Sequence, residues 1–152
     1  MISRRDFVQL SACVMSLDFS ASAASSDAGD PWSGAELIEP AKLAALLSQG
    51  DKAHHVICVA FPALYKQRHI SGAMFAGPGS KPEGIAALRT TLEKLTKSDP
   101  VVLYCGCCPM EDCPNIRPAY SAAKDLGFKN LRVLNLPNNF HTDWTAKGYP
   151  VT

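Results

Sequence analysis

The chain has 152 residues, 47% of them hydrophobic and 19% charged, which suffices for one core of ordinary domain size; nothing points to a second. With 15 Lys and Arg against 14 Asp and Glu the net charge is +1, so no basic surface is offered to nucleic acid or anionic lipid, and any anion recognition must be local. No apolar run approaches the roughly 18 residues that span a bilayer, so no membrane span is expected.

Residues 1–23 read as an address label. Ser3-Arg4-Arg5-Asp6-Phe7 resembles a twin-arginine export signal, followed by a weakly apolar stretch from Val8 to Phe19 and the small-residue cleavage pattern Ala21-Ser22-Ala23. Leu10-Ser11-Ala12-Cys13 resembles a lipoprotein box that would acylate Cys13, but few apolar residues separate it from Arg5, so anchoring there is the less favoured reading. A periplasmic location follows. Residues 24–34, rich in Ser, Asp, Gly and Pro, are expected to form a flexible linker, and residues 35–152 the folded domain. Loss of Cys13 with the signal leaves Cys58, Cys105, Cys107, Cys108 and Cys113, an odd number in a compartment that favours disulfides, so at least one thiol stays free.

From Pro40 the chain alternates helix and strand signals. Pro40 suits a helix first turn, Leu43, Leu46 and Leu47 form one apolar stripe, and Gly50 fits a left-handed cap. His55–Ala60 reads as a buried strand, with a brief strand near Met74 and a loop over Gly77–Pro82. Ile85, Leu88, Leu92 and Leu95 share a helix face that Pro100 closes off. Val101–Tyr104 is a third strand; Ala119, Ala122, Ala123 and Leu126 mark a helix starting near Pro118 and ended by Gly127; Leu131–Leu134 is a last strand. Strands separated by helices predict a single α/β domain, with a mostly parallel sheet flanked by helices on both faces.

In such sheets ligands bind where strand C-termini meet helix N-termini. Cys105 stands at that junction, and four of the six cysteines lie between Cys105 and Cys113. Loop amides and the positive end of the following helix would favour a thiolate at Cys105 and would also hold an anionic substrate. Gly106, Cys107 and Cys108 belong to that cradle, and Arg117 in the first helical turn is expected to fork two hydrogen bonds to a substrate oxyanion.

From about Leu37 to Val151 the chain resembles the rhodanese-like sulfurtransferases. The residues carrying the resemblance are the strand VIC at Val56–Cys58, HISGA at His69–Ala73, VVLYC ending at Cys105, the helix ending in LGFKN, Trp144 and GYPV at Gly148–Val151. The resemblance implies a persulfide mechanism: Cys105 takes the outer sulfur of a small anionic donor such as thiosulfate and passes it to cyanide or a thiol acceptor. It calls for no cofactor and no metal. There are departures. Cys58 and Ala60 stand where an aspartate and an arginine are usual, Arg68 replaces the glycine before the histidine, and Asn138-Asn139 replaces a double glycine. The loop is longer than usual, with 11 residues between Cys105 and Arg117.

For Cys107, Cys108 and Cys113 three roles are open. Two of them form a disulfide pinning the loop; or Cys108 or Cys113 acts as a resolving thiol; or the cluster binds a metal, helped by His141. The spacing lacks the paired repeat of a zinc knuckle, though soft Cu(I) would accept it. Two rival functions remain. Cys105 and Cys108 form the CxxC of a thiol-disulfide oxidoreductase, or the chain is a non-catalytic binding module, copper included, on the same scaffold. His69 is expected to be structural, Phe140, Trp144 and Tyr149 to cap the core, Asn138 and Asn139 to form a turn, and Asp112 is only a weak acid donor. The oligomeric state is not legible.

Overall fold

A computed structural model describes residues 29–152; the expected export signal, its expected cleavage site and Cys13 lie outside the described residues. The elements are β1 (Leu37–Ile38), α1 (Pro40–Ser48), β2 (His55–Cys58), α2 (Pro62–Gln67), β3 (Met74–Phe75), α3 (Pro82–Leu92), β4 (Val101–Tyr104), α4 (Ile116–Asp125), β5 (Leu131–Leu134) and α5 (Phe140–Asp143). The five strands form one sheet in the order β1-β5-β4-β2-β3, with every neighbouring pair parallel.

The central strand is the one whose sequence never alternates. Val101, Val102, Leu103 and Tyr104 are all buried, as a strand covered on both faces requires, and β4 aligns Val101 with His55 of β2 and with Leu131 of β5. Leu43 of α1, Leu88 and Leu92 of α3, and Ala119 and Ala123 of α4 present no surface to solvent, so the helical stripes face the sheet as predicted. Gly84 lets α3 start tightly: a Cβ there would lie 2.0 Å from the Pro78 carbonyl oxygen. Gly50 and Gly127 follow their helices with φ of 77° and 86°, the left-handed caps expected of them.

The C-terminal tail closes the fold on the His69–Ala73 segment. Ile70 and Val151 form an antiparallel bridge, with His69 and Thr152 exchanging backbone hydrogen bonds of 3.1 and 2.9 Å. Trp144 is fully buried, donates its indole N–H to the Pro150 carbonyl at 3.0 Å and packs edge-on against Tyr149. His69 stacks on Tyr65 at 3.8 Å between ring centres and bonds its backbone carbonyl at 2.8 Å, a structural role.

Two details depart from the expected layout. Order begins before residue 35: Trp32 is only 7% exposed and packs edge-on against Tyr120, so the linker has an anchored end. The Ser, Gly and Pro content around it masks one indole that buries a large apolar area. Glu36 ties the same segment down, accepting from Tyr120 Oη at 2.6 Å and Lys124 Nζ at 2.8 Å, and these contacts with the Ser33 amide lower its pKa to about 2. The second departure is that α4 begins at Ile116, two residues before Pro118, which sits inside the first turn where no amide partner is needed.

Candidate active site

The connections from β2 and β4 run to opposite sides of the sheet, β2 towards β3 and β4 back to β5, so the crevice opens beyond the C-terminal ends of these two strands. A cavity of about 480 Å³ lies there. Cys58 and Tyr104 end the two strands and line it, together with Cys105, Gly106 and Cys107 of the loop and with Arg68, Phe140 and His141. Tyr104 and Phe140 stack at 5.6 Å to form an aromatic wall.

Gly106 is the hinge at which the loop leaves the sheet. Its φ is 77°, its carbonyl accepts from the Phe140 amide at 3.1 Å, and a Cβ there would come within 2.6 Å of the Phe140 Cβ. Its role is backbone geometry and close approach to α5. Beyond it the loop makes a 3-10 turn at Met110–Asp112 and returns to the sheet through the Met110 amide, which donates to the Leu136 carbonyl at 3.2 Å.

The thiols come together. Cys105 Sγ donates to Cys107 Sγ at 3.3 Å; Cys107 Sγ is 3.1 Å from Cys108 Sγ and 3.9 Å from Cys113 Sγ. Cys105, Cys107 and Cys113 place their sulfurs within 4.8 Å of one another, whereas Cys108 joins through Cys107. All five described cysteines are free thiols. Arg117 holds the loop, donating to the Met110 and Cys113 carbonyls at 3.2 and 3.3 Å while pairing with Asp30 at 2.6 Å.

Arg117 is not part of the cavity lining. A loop of this length leaves carbonyls that its own turns do not satisfy, and the guanidinium bonds them. The cation lining the cavity is Arg68. The residue that looked like a departure from the family pattern supplies the positive charge.

The charge on the sulfurs also sits elsewhere than expected. Cys107 has its pKa lowered to about 5, first by the hydrogen bond from Cys105, with further help from Cys108, Cys113 and Asn115. Cys105, 5% exposed, is raised because it donates that bond, with Cys113 and burial adding to the effect. Cys113 is lowered to about 7, by Cys105 first and then by the amides of Asn115 and Ile116 at the start of α4. Cys108 is raised to about 12 by burial and by its bond to Cys107. The contacts thus make Cys107 the most acidic thiol of the cluster, one hydrogen bond from Cys105. The helix-end amides predicted for Cys105 serve Cys113 instead. Cys58 is pushed up by burial and stays protonated.

Asn115 escaped the sequence reading. It is fully buried; its Nδ2 donates to Cys105 Sγ at 3.4 Å and Cys107 Sγ at 3.8 Å, and its Oδ1 accepts from the Ser80 amide at 3.0 Å. Preceding α4, it makes no side-chain cap; the amide goes to sulfur instead. Its place just before a helix start was the available signal, but that signal reads as a cap. Asn138 and Asn139 form the expected turn, held by Asp143 at 2.7 to 3.0 Å, with Asn139 also on the cavity wall. His141 lines the cavity but is not among the clustered metal-ligating groups.

The model of the family described as "Rhodanese-like domain" matches residues 39–136. The chain belongs to the rhodanese-like family. Similar solved structures share the fold: a rhodanese-like domain from Anabaena at 23% identity and TM-score 0.57, covering 77% of this chain and 78% of that one, and a protein from Bacillus halodurans at 22% and 0.59, covering 76% and 74%. A thiosulfate sulfurtransferase from Pseudomonas aeruginosa matches at 26% identity and TM-score 0.57, over 77% of this chain but 19% of its own. No curated protein sequence matches. Among these rhodanese-like residues, the described helices include none long and apolar enough to cross a membrane.

Proposed function

We propose that this rhodanese-like chain is a periplasmic sulfurtransferase that moves sulfane sulfur from a small anionic donor such as thiosulfate to a thiol or cyanide through a persulfide on Cys105. The observation carrying this reading is the Cys105–Cys107 contact of 3.3 Å on the cavity lining, where Cys105 donates to a thiol whose pKa is lowered to about 5. Cys107 takes the Cys105 proton as Cys105 attacks the outer sulfur of the donor. A new S–S bond forms, the donor's S–S bond breaks, and its electron pair leaves with sulfite. The product Cys105–S–S⁻ keeps the charge balance, and the Asn115 amide remains beside it. Cyanide or an acceptor thiolate then attacks the outer sulfur and leaves Cys105 as thiolate.

Arg68 draws the anionic donor into the cavity, and the Tyr104–Phe140 wall limits its width. The neighbouring thiols give a second exit. Cys107 attacks the inner sulfur of the persulfide, forming a Cys105–Cys107 disulfide and releasing hydrosulfide, which carries away the proton Cys107 had taken. Cys113, within 4.8 Å of both, and Cys108, 3.1 Å from Cys107, are positioned to exchange into that disulfide, and two equivalents of an external thiol, themselves oxidised to a disulfide, return the cluster to its reduced state.

A dithiol oxidoreductase using Cys105 and Cys108 fits less well. Such a site wants a helix starting at the first cysteine, and α4 starts at Ile116, while Cys108 bonds Cys107 rather than Cys105. The test is thiocyanate formation from thiosulfate and cyanide. Wild type should turn over, Cys105→Ser should not, and Cys108→Ser should still do so. Activity that survives Cys105→Ser refutes the assignment.

A further inference from the structure

The cavity accounts for Cys105 and Cys107, but sulfur transfer does not require a third buried sulfur converging on both. We propose that Cys105, Cys107 and Cys113 form a three-coordinate site for a thiophilic monovalent metal, Cu(I), and that the metal and the persulfide exclude one another. The proposal rests on the thiol cluster alone and stands independently of the sulfur-transfer reading.

The spacing suits a metal. With bonds of about 2.3 Å, three sulfurs around a central ion sit about 4 Å apart. Here Cys105 and Cys107 are 3.3 Å apart, Cys107 and Cys113 are 3.9 Å apart, and all three sulfurs lie within 4.8 Å of one another. Opening the first pair by about 0.7 Å seats the ion.

The donor set then selects it. Met110, Ile116, Leu134 and Leu136 wall the other side of the cluster and offer no nitrogen or oxygen ligand, which disfavours hard cations. Structural zinc asks for four ligands, whereas the group whose sulfurs all lie within 4.8 Å of one another is Cys105, Cys107 and Cys113, with Cys108 bonded to Cys107 at 3.1 Å outside it. Three mutually converging sulfurs suit Cu(I) better.

The surroundings independently resemble those of a ligand set. Metal-bound thiolates are oriented by N–H groups that donate to sulfur. Asn115 Nδ2 donates to both Cys105 and Cys107. Two of the three proposed ligands thus receive an N–H, an arrangement that also offsets the excess negative charge of thiolates around one positive ion. Two of the three sulfurs are buried, which shields a bound ion from water and oxidant.

The experiment loads the reduced full chain anaerobically with Cu(I), in competition with a chromophoric Cu(I) chelator. Native mass spectrometry counts the metal and X-ray absorption reads its ligands. One copper per chain, three sulfur scatterers and no nitrogen or oxygen scatterer is the expected result. Cys113→Ser should lose at least tenfold in affinity and drop to two sulfurs, while Cys58→Ser, outside the cluster, should bind like wild type; circular dichroism checks the fold of each. If Cys113→Ser does not fold, Cys107→Ser serves in its place. Copper-loaded protein should gain no sulfur from thiosulfate. Substoichiometric copper, nitrogen or oxygen ligation, an unaffected Cys113→Ser, or preferential four-sulfur binding of Zn(II) overturns the proposal. Because metal is read without a sulfur donor and persulfide without metal, failure of either reading leaves the other testable.

Discussion

Asn115→Asp tests whether the buried amide sets the charge state of the cluster. The substitution keeps the shape and the Oδ1 acceptor for the Ser80 amide, but removes the Nδ2 donor to Cys105 and Cys107 and puts an acid in its place. A hydrogen bond to a charged group contributes about 1.5–3 kcal/mol. At about 1.4 kcal/mol per pKa unit, its loss raises the thiol by about 1–2 units. The Cys107 pKa, held at about 5 in the wild type, moves to about 6–7. The acid cannot compensate, because its carboxyl ionises first and the thiolate must then form beside a negative charge. At pH 6 the ionised share falls from about nine tenths to between about one half and about one tenth. The assay is the pH dependence of iodoacetamide alkylation, reading the fastest-reacting thiol by mass. An unchanged midpoint in a folded variant refutes the idea that Asn115 stabilises the thiolate.

Further expectations follow from the same contacts. Arg68→Gln should raise KM for an anionic donor about tenfold and leave kcat nearly unchanged, because the cation lines the cavity and touches neither reacting sulfur; an effect confined to kcat contradicts this. Gly106→Ala must absorb a left-handed φ of 77° and a Cβ 2.6 Å from Phe140, and thermal melting should show a loss of about 1–3 kcal/mol; a neutral variant contradicts the geometry. Glu36 has a depressed pKa, so its contribution is present above the unfolded value near 4.5 and is lost as pH falls through about 2. Glu36→Gln should therefore cost about 1 kcal/mol at pH 7 and only a small fraction of that at pH 2 in denaturant titrations, this partly exposed cluster being screened by solvent.

What the sequence discloses depends on how long each signal is. Val101–Tyr104, Leu131–Leu134 and the stripes of α1, α3 and α4 were legible because a parallel sheet writes continuous apolar runs and its helices write a helical period. β1, two residues long, and α2 and α5, six and four residues, carry too little periodicity to read. Cys105 was legible as the residue where an apolar run breaks into a loop. The distribution of charge was not, since it depends on which sulfur donates to which, and Cys107 and Cys113 reach Cys105 only through the folded path of the loop. Arg117 reads from sequence as a substrate clamp at a helix start, while the two loop carbonyls it bonds become its neighbours only after folding.

The most direct measurement is intact mass of the reduced protein after incubation with thiosulfate and removal of excess donor. The account predicts a gain of one sulfur, about 32 Da, reversed by cyanide, absent in Cys105→Ser and present in Cys108→Ser. No gain with thiosulfate or any other sulfane donor contradicts it. So does a gain that persists in Cys105→Ser and disappears in Cys107→Ser, which would move the carrier sulfur to the neighbouring residue.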